Sequence, residues 1–431
     1  MENVEIWYDE LKEYTFESQF IELSIETGFA LKKLYQNNFW NKKISAQNNI
    51  IIDHQKQKLF KILQLNKDSF IRLSTRSPKD QVFDLDNPQQ KLEIMLGIQN
   101  LLKALNIDKQ ELILRAQNQY YSNNDSKIEI NIQKLPYLLQ DVELNQVLIW
   151  LFNYTKKYLK IQNAQQCYEL LQKSERVFVD LTNLLIWKNI NFNQYQDIED
   201  LQKDEKIDEK QQLCYLCVRK WIDILDENEF RCFFYNKKLT AISQYNPYIY
   251  LPYFNEKSIQ IQIKTKIYDY FEKIIPKLTN LNIEHGVIDF AIFTNKDQEI
   301  SSQLPKNFQN NIKSDFLIEK IYVIELNPFN NYQGAGTGGA YFDWNSDIDI
   351  LNGSYIYGKE KLLQQQNLEK EQVIEKLQFR FQNKQRDNLV DKIFPLFDQK
   401  EELLPEILKN IIQQNDHDNK KTFYQKYCTI F

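Results

Sequence analysis

Apolar residues recur at helical spacing through the opening of the chain, most plainly in "FIELSIETGFALKKLY", and predict an N-terminal helical segment over 1–65. "SFIRLST" then reads as a short strand and "RSPKD" as a turn, because Pro78 lacks a donor and pushes its neighbour out of the helical region. A helical insertion follows at about 90–173, broken by the polar loop "QYYSNNDSK". From 174 the texture changes. "RVFVDLTNLLIW" and "CYLCVRKWIDIL" are apolar runs rich in strand-forming residues, separated by "DIEDLQKDEKIDEKQQ", a solvated loop or helix. "FRCFFYNKKLTAISQY" predicts a hairpin with Asn236 and Lys237 near its tip, and "IQIKTKIYDYFEKIIPKL" a helix. "HGVIDFAIF" and "IYVIELNPF" are two more strands joined by a long polar loop. From 358 to 431 the chain is polar and helical, and there is no internal repeat.

Strand alternation brings chemistry into view. In "VIELNPF", Glu325 and Asn327 lie two apart and leave the same face, while Ile324 and Leu326 point into a core. Asp289 stands between Ile288 and Phe290, a costly position for a carboxylate without a partner. If the two strands pair, Asp289, Glu325 and Asn327 converge as two carboxylates and an amide oxygen, a set suited to magnesium. The other reading of the same spacing is polar residues at a sheet edge, facing solvent, and spacing alone leaves both open. Arg72, Lys79, Arg219 and Arg231 supply the cations that a polyphosphate between two sheets would need. Glu229 shares a strand face with Arg231, so those two could equally pair with each other.

Bulk properties narrow the field. The net charge of −5 argues against a protein that coats nucleic acid, and no direct nucleic-acid contact is expected. The amino terminus lacks the cationic start and apolar core of a signal peptide. The longest apolar run, "VLIWLF", is far short of the ~20 residues that span a bilayer, so the chain reads as soluble and cytoplasmic. Five scattered cysteines make no disulfide framework. Cys214 and Cys217 form a C-x-x-C inside a strand-like run with no second pair, which reads as buried thiols and not as a zinc or redox site. His54, His285 and His417 show no metal-ligand spacing.

Two patterns mimic known sites and fail their structural tests. Gly334, Gly336 and Gly339 match a dinucleotide fingerprint, but "NPFNNYQ" separates them from the strand and no helix opens on the last glycine. The loop at 334–339 is expected beside a site and not as its phosphate cradle. "DWNSDIDILNGS" resembles a calcium loop at Asp343, Asn345 and Asp347, yet Ile348 stands where glycine is required and Ser354 where glutamate is.

Taken in order, "IRLSTRSPKD", "SERVFVDL", "CVRKWIDILDENEFRCFFYNKKLTAISQYN", "VIDFAIF", "VIELNPF" and "AYFDW" resemble the cell division cycle protein 123 family from about 70 to 345. The resemblance implies an α+β, ATP-grasp-like core of two sheet-containing lobes clasping a nucleotide over 66–357. Helices are added in the N-terminal half and in the C-terminal tail. It implies ATP and Mg2+ as cofactors, and a role as assembly chaperone for eukaryotic translation initiation factor 2 through its gamma subunit. Carried over by position, Asp289, Glu325 and Asn327 would hold the metal. Arg72, Lys79, Arg219, Lys220, Trp221 and Arg231 would lie at the nucleotide. "SERVFVDL" resembles the lead into the central strands and "AYFDW" the strand closing the domain. Glu325 replaces the family's usual aspartate, one methylene longer, and Arg72 its early lysine, a fork in place of a point charge. The same constellation would also serve an ATP-grasp ligase that forms an amide through an acyl phosphate, or a scaffold with a silent nucleotide site.

Overall fold

The computed structural model describes residues 3–40, 45–64, 68–83, 87–108, 110–112, 114–115, 138–295, 316–330, 339–358 and 368–384. Its strands form two sheets. The first comprises β1 (Ser18–Ser24), β2 (Ser69–Leu73), β3 (Lys160–Ile161) and β4 (Gln212–Lys220), antiparallel in the order β1-β4-β2-β3. The second comprises β5 (Glu229–Tyr235), β6 (Lys238–Gln244), β7 (Gly286–Thr294), β8 (Ile318–Asn327) and β9 (Gln378–Arg380), in the order β8-β7-β5-β6-β9. Residues 221–228 link β4 to β5 and so join one sheet to the other. The architecture is α+β with two sheet-bearing lobes, as the sequence implies.

The helices used below are α1 (Val4–Leu11), α2 (Ile25–Phe39), α3 (Ala46–Leu63), α4 (Pro88–Ala104), α5 (Asp141–Thr155), α6 (Ala164–Lys173), α7 (Glu175–Trp187), α8 (Lys257–Asn280) and α9 (Lys370–Lys376). Alternation decides what each sheet face meets. Cys214, Leu216 and Val218 of β4, with Ile71 and Leu73 of β2, pack into one core with α2, α3, α6 and α7. Phe70, Arg72 and Arg219 therefore emerge on the opposite face. In the second sheet Phe230, Cys232, Phe234, Ile288 and Phe290 pack on α8. The stripe Ile263, Ile267, Phe271, Ile274 and Leu278 of α8 is fully buried, each side chain contributing ~1.5–3 kcal/mol by burial. Glu229, Arg231 and Asp289 take the other face, opposite those apolar neighbours.

Several sequence expectations change. The segment 1–65 is not helical throughout: β1 occupies 18–24 and pairs with β4, and α2 starts only where the Ser24 hydroxyl accepts from Thr27 N at 3.3 Å. "RVFVDLTNLLIW" is the helix α7, capped by Ser174, whose hydroxyl accepts from Val177 N at 3.2 Å. Its buried positions Val177, Asp180, Leu181 and Leu185 follow helical spacing. "AYFDW" forms turns instead of a closing strand, with Phe342 packed under Phe233 at a centroid distance of 5.6 Å. The tail contributes α9 and then β9, a strand parallel to β6, within the described residues. The predicted hairpin is present, with Asn236 and Lys237 at φ 48° and 62°. The polar loop "QYYSNNDSK" and all but Gly339 of the glycine loop lie outside the described residues. Gly339 itself must lack a side chain, because a Cβ there would sit 1.8 Å from Phe342 O. No described helix is long and apolar enough to cross a membrane.

Candidate functional site

A cavity of about 240 Å³ opens between the two sheets, against the linker that joins them. Apolar side chains form much of its wall near the linker, among them Phe152, Leu159, Trp221, Ile222 and Ile224. Five cationic residues, Arg72, Lys79, Lys156, Arg219 and Lys220, face three carboxylates, Asp226, Glu229 and Glu325, leaving a surplus of two positive charges. An apolar slot ending in concentrated positive charge suits a flat group attached to an anion.

Arg219 is the most informative of these. It leaves β4 on the cleft face and is only 3% exposed. One donor reaches Ile324 O at 2.6 Å, tying the first sheet to β8 of the second. Its Nε and second terminal nitrogen are buried and meet no oxygen acceptor among the described residues; besides Ile324 O, the guanidinium has only the Cys217 thiol and the Trp7 and Phe16 rings, 5.7 Å and 6.0 Å away. Burial pushes the guanidinium pKa down, and Arg72 adds to the same direction. The rings and thiol compensate a buried guanidinium only in part, and an anion would complete it. Arg72 makes the second tie between sheets, with its terminal nitrogen 2.7 Å from Glu325 Oε2. Lys79 sits in the turn at Lys79–Phe83, which Asp80 anchors to the start of α7 through Ser174 Oγ at 2.6 Å. Burial disfavours the Lys79 charge, but Tyr245, Glu229, Glu325 and Asp289 surround it and its pKa is raised.

The acidic side is built by register. Asp289 of β7 faces Glu325 of β8, and Val287 faces Asn327. The register shifts between Asp289 and Phe290, leaving Ile324 as the extra residue in a bulge. The bulge re-aims Glu325 toward the cleft while Val323 stays in the core. Ile324, expected in the core, lines the cavity instead. Asp289 is 1% exposed, and both its oxygens accept from Arg231, at 2.8 Å from Nε and 2.7 Å from a terminal nitrogen. Burial raises the Asp289 carboxyl against the pull of Arg231. For Glu325 burial pushes upward, but Arg72, Lys79 and Arg231 hold the carboxyl well below its usual range. The Asn327 amide nitrogen lies 3.4 Å from Asp289 Oδ2.

Of the residues singled out in the sequence, Arg72, Lys79, Arg219, Lys220, Trp221 and Glu325 line the cavity. Arg231, Asp289 and Asn327 are not among its wall residues. Arg231 joins it by packing on the ring of Tyr245, 5.0 Å from the centroid, while Lys79 lies 5.0 Å from that ring too. Glu229 does not pair with Arg231, since Arg231 takes Asp289 and Glu229 takes Lys156 at 2.6 Å. Lys156, Asp226 and Tyr245 have no place in the sequence reading. Tyr245 directly follows the hairpin's second strand and was within reach of alternation, whereas nothing local marks Lys156.

The oxygen donors of Asp289, Glu325 and Asn327 suit magnesium by type; Asp289 Oδ1 keeps a second lone pair beside Arg231, whereas Oδ2 already accepts from both Arg231 and the Asn327 amide. Among the described residues no three His, Cys, Asp or Glu side chains cluster, so a cation would rest on these two carboxylates and the amide. The calcium-like pattern is spent otherwise: Asp347 binds Arg380 at 2.6 Å, and Asp343 accepts from the Asn345 and Ser346 backbone. Cys214 and Cys217 are buried and free on opposite faces of β4, their thiols pushed up by burial.

The chain matches the family model described as D123 over residues 149–399. It is 27% identical over 172 residues to the translation initiation factor eIF2 assembly protein of Vanderwaltozyma polyspora, covering 40% of this chain and 35% of the relative. It is 28% identical over 144 residues to a putative CDC123-like protein of Acanthamoeba polyphaga mimivirus, covering 32% of this chain and 36% of the relative. The matched stretches thus span about a third of either curated relative. Cdc123 from Schizosaccharomyces pombe aligns in structure with TM-score 0.41 and 16% identity, covering 82% of this chain and 91% of that one. Its C-terminally truncated form gives 0.43 and 15%, covering 88% and 94%.

Proposed function

The chain belongs to the D123 family, that of cell division cycle protein 123, and on that premise we propose that it binds ATP between its two sheets and serves as an assembly factor for eukaryotic translation initiation factor 2. The observation that carries nucleotide binding is Arg219, a buried cation on the cavity wall with two donor nitrogens that meet no oxygen acceptor among the described residues. A phosphate would satisfy both, since guanidinium forks match phosphate oxygens in pairs. Lys79 adds a point charge, and Lys220 lies at the end of β4. Trp221, Ile222 and Ile224 offer an apolar slot for the base along the linker. Magnesium held by Asp289, Glu325 and Asn327 would neutralise phosphate charge beside the two arginines.

The proposal extends to the family's implied ATP-grasp-like unit over 66–357, to the gamma subunit as partner, and to the cytoplasm as the place where translation factors assemble. The name of the yeast relative supports the assembly role. The test is to incubate the purified chain with the isolated gamma subunit and ATP, measuring capture and phosphate release together. Stable capture with slow or absent ATP consumption is expected. Rapid ATP consumption that depends on a small amine or carboxylate, without capture, would replace this reading with an amide-forming ligase.

A further inference from the structure

Lys156 follows α5 directly and opens the short turn Lys156–Leu159 on the cavity wall. Its ammonium has three N–H donors. They meet Ile224 O at 3.0 Å, Glu229 Oε1 at 2.6 Å and Asp226 Oδ1 at 2.5 Å. Burial works against its charge, but Asp226 and Glu229 more than reverse that and its pKa is raised. All three donors are engaged, so the ammonium cannot contact a bound ligand without releasing a partner. The partners come from different parts of the fold: Ile224 and Asp226 from the linker, Glu229 from the first position of β5. Asn153, one turn earlier on α5, accepts from Asp226 N at 2.7 Å and reinforces the same junction. Asp226 also accepts from the Asn246 amide.

Resting on the reading of the cleft as an ATP site, we propose that Lys156 is a positioning residue that masks Asp226 and Glu229, so that the cleft accepts a polyphosphate. It would act through those carboxylates and not by touching the nucleotide. Without it the wall would carry four cations against three carboxylates, two of them released toward the ligand. The helical segment carrying Lys156 is then part of the binding site, holding the linker in place from outside the two sheets.

The experiment is calorimetric titration of Mg·ATP into the full chain as wild type, Lys156→Arg, Lys156→Met and the double variant Lys156→Met/Asp226→Asn, with melting curves for each. Lys156→Arg should bind within about threefold of wild type, and Lys156→Met at least about tenfold more weakly, because unpaired buried carboxylates repel the incoming phosphates. Adding Asp226→Asn should recover most of that loss, an effect that a simple packing role for Lys156 would not produce. Should Lys156→Met not fold, the arginine and double variants must agree within about threefold. Wild-type binding with Lys156→Met unaffected, or a folded double variant as weak as the single, would overturn the inference alone. Absence of wild-type binding would overturn the ATP reading itself and this inference with it.

Discussion

Glu227 lies in the linker turn Asp226–Asn228 and is 1% exposed. Its Oε2 accepts from the Asn153 amide at 2.9 Å, while Oε1 is buried without a partner. Burial pushes the carboxyl from 4.5 up to about 7; Asn153 and Lys156 pull downward, and Asp226 adds to the rise. Between pH 4.5 and about 7 the folded protein therefore binds more protons than the unfolded chain. Stability falls as pH rises across that window, and the loss is complete above it. A rise of this size corresponds to about 3 kcal/mol by pH 8, at ~1.36 kcal/mol per pH unit. Glu227→Gln keeps an acceptor for Asn153 and carries no charge. Urea unfolding followed by circular dichroism at pH 4.5, 6 and 8 should show the variant equal to wild type at the lowest pH. It should be more stable by about 3 kcal/mol at the highest. A variant no more stable than wild type at pH 8 would show that the linker already compensates the Glu227 charge.

Arg231→Met strands Asp289 in the sheet and should cost about 3–5 kcal/mol in urea unfolding, most of it recovered by Arg231→Met/Asp289→Leu; a loss under about 1 kcal/mol would remove the pair from the account. Cys214 and Cys217, buried on opposite strand faces, should stay unlabelled by a thiol reagent at pH 8 in the native state and react once unfolded, read by peptide mass spectrometry. Rapid native labelling, or a disulfide between them, would contradict their placement. Gly339→Ala should lower stability by about 1–3 kcal/mol because the turn at Phe342 must move; an unchanged melting temperature would show that the turn gives freely.

Four strands of the second sheet, β5 to β8, were legible as apolar runs bounded by turn residues, and the hairpin because Asn236 and Lys237 take positive φ; β9 was not, since it is three residues in a polar tail. The same local logic failed at "RVFVDL", where β-branched and aromatic residues suggested a strand. The cap at Ser174 and the burial of Leu181 and Leu185 made a helix. It failed again at β1, whose few residues run directly into α2 and borrow that helix's periodicity. Asp289, Glu325 and Asn327 could be placed on one face from spacing, but the bulge at Ile324 that re-aims Glu325 arises from strand pairing. The partners of the charges were beyond reach altogether. Arg72 and Glu325 lie 253 positions apart and Lys156 and Glu229 lie 73 apart, and no local pattern encodes such a choice.

A nucleotide held between the sheets would show in amide hydrogen exchange on the full chain with and without Mg·ATP. Ligand at about 100 times its dissociation constant adds ~2.7 kcal/mol to the folded state, enough to slow exchange measurably. Protection is expected to concentrate at 70–79, 152–159, 219–229 and 324–325, stretches that line the cavity. Protection confined to other parts of the chain, or none at saturating Mg·ATP, would contradict that placement.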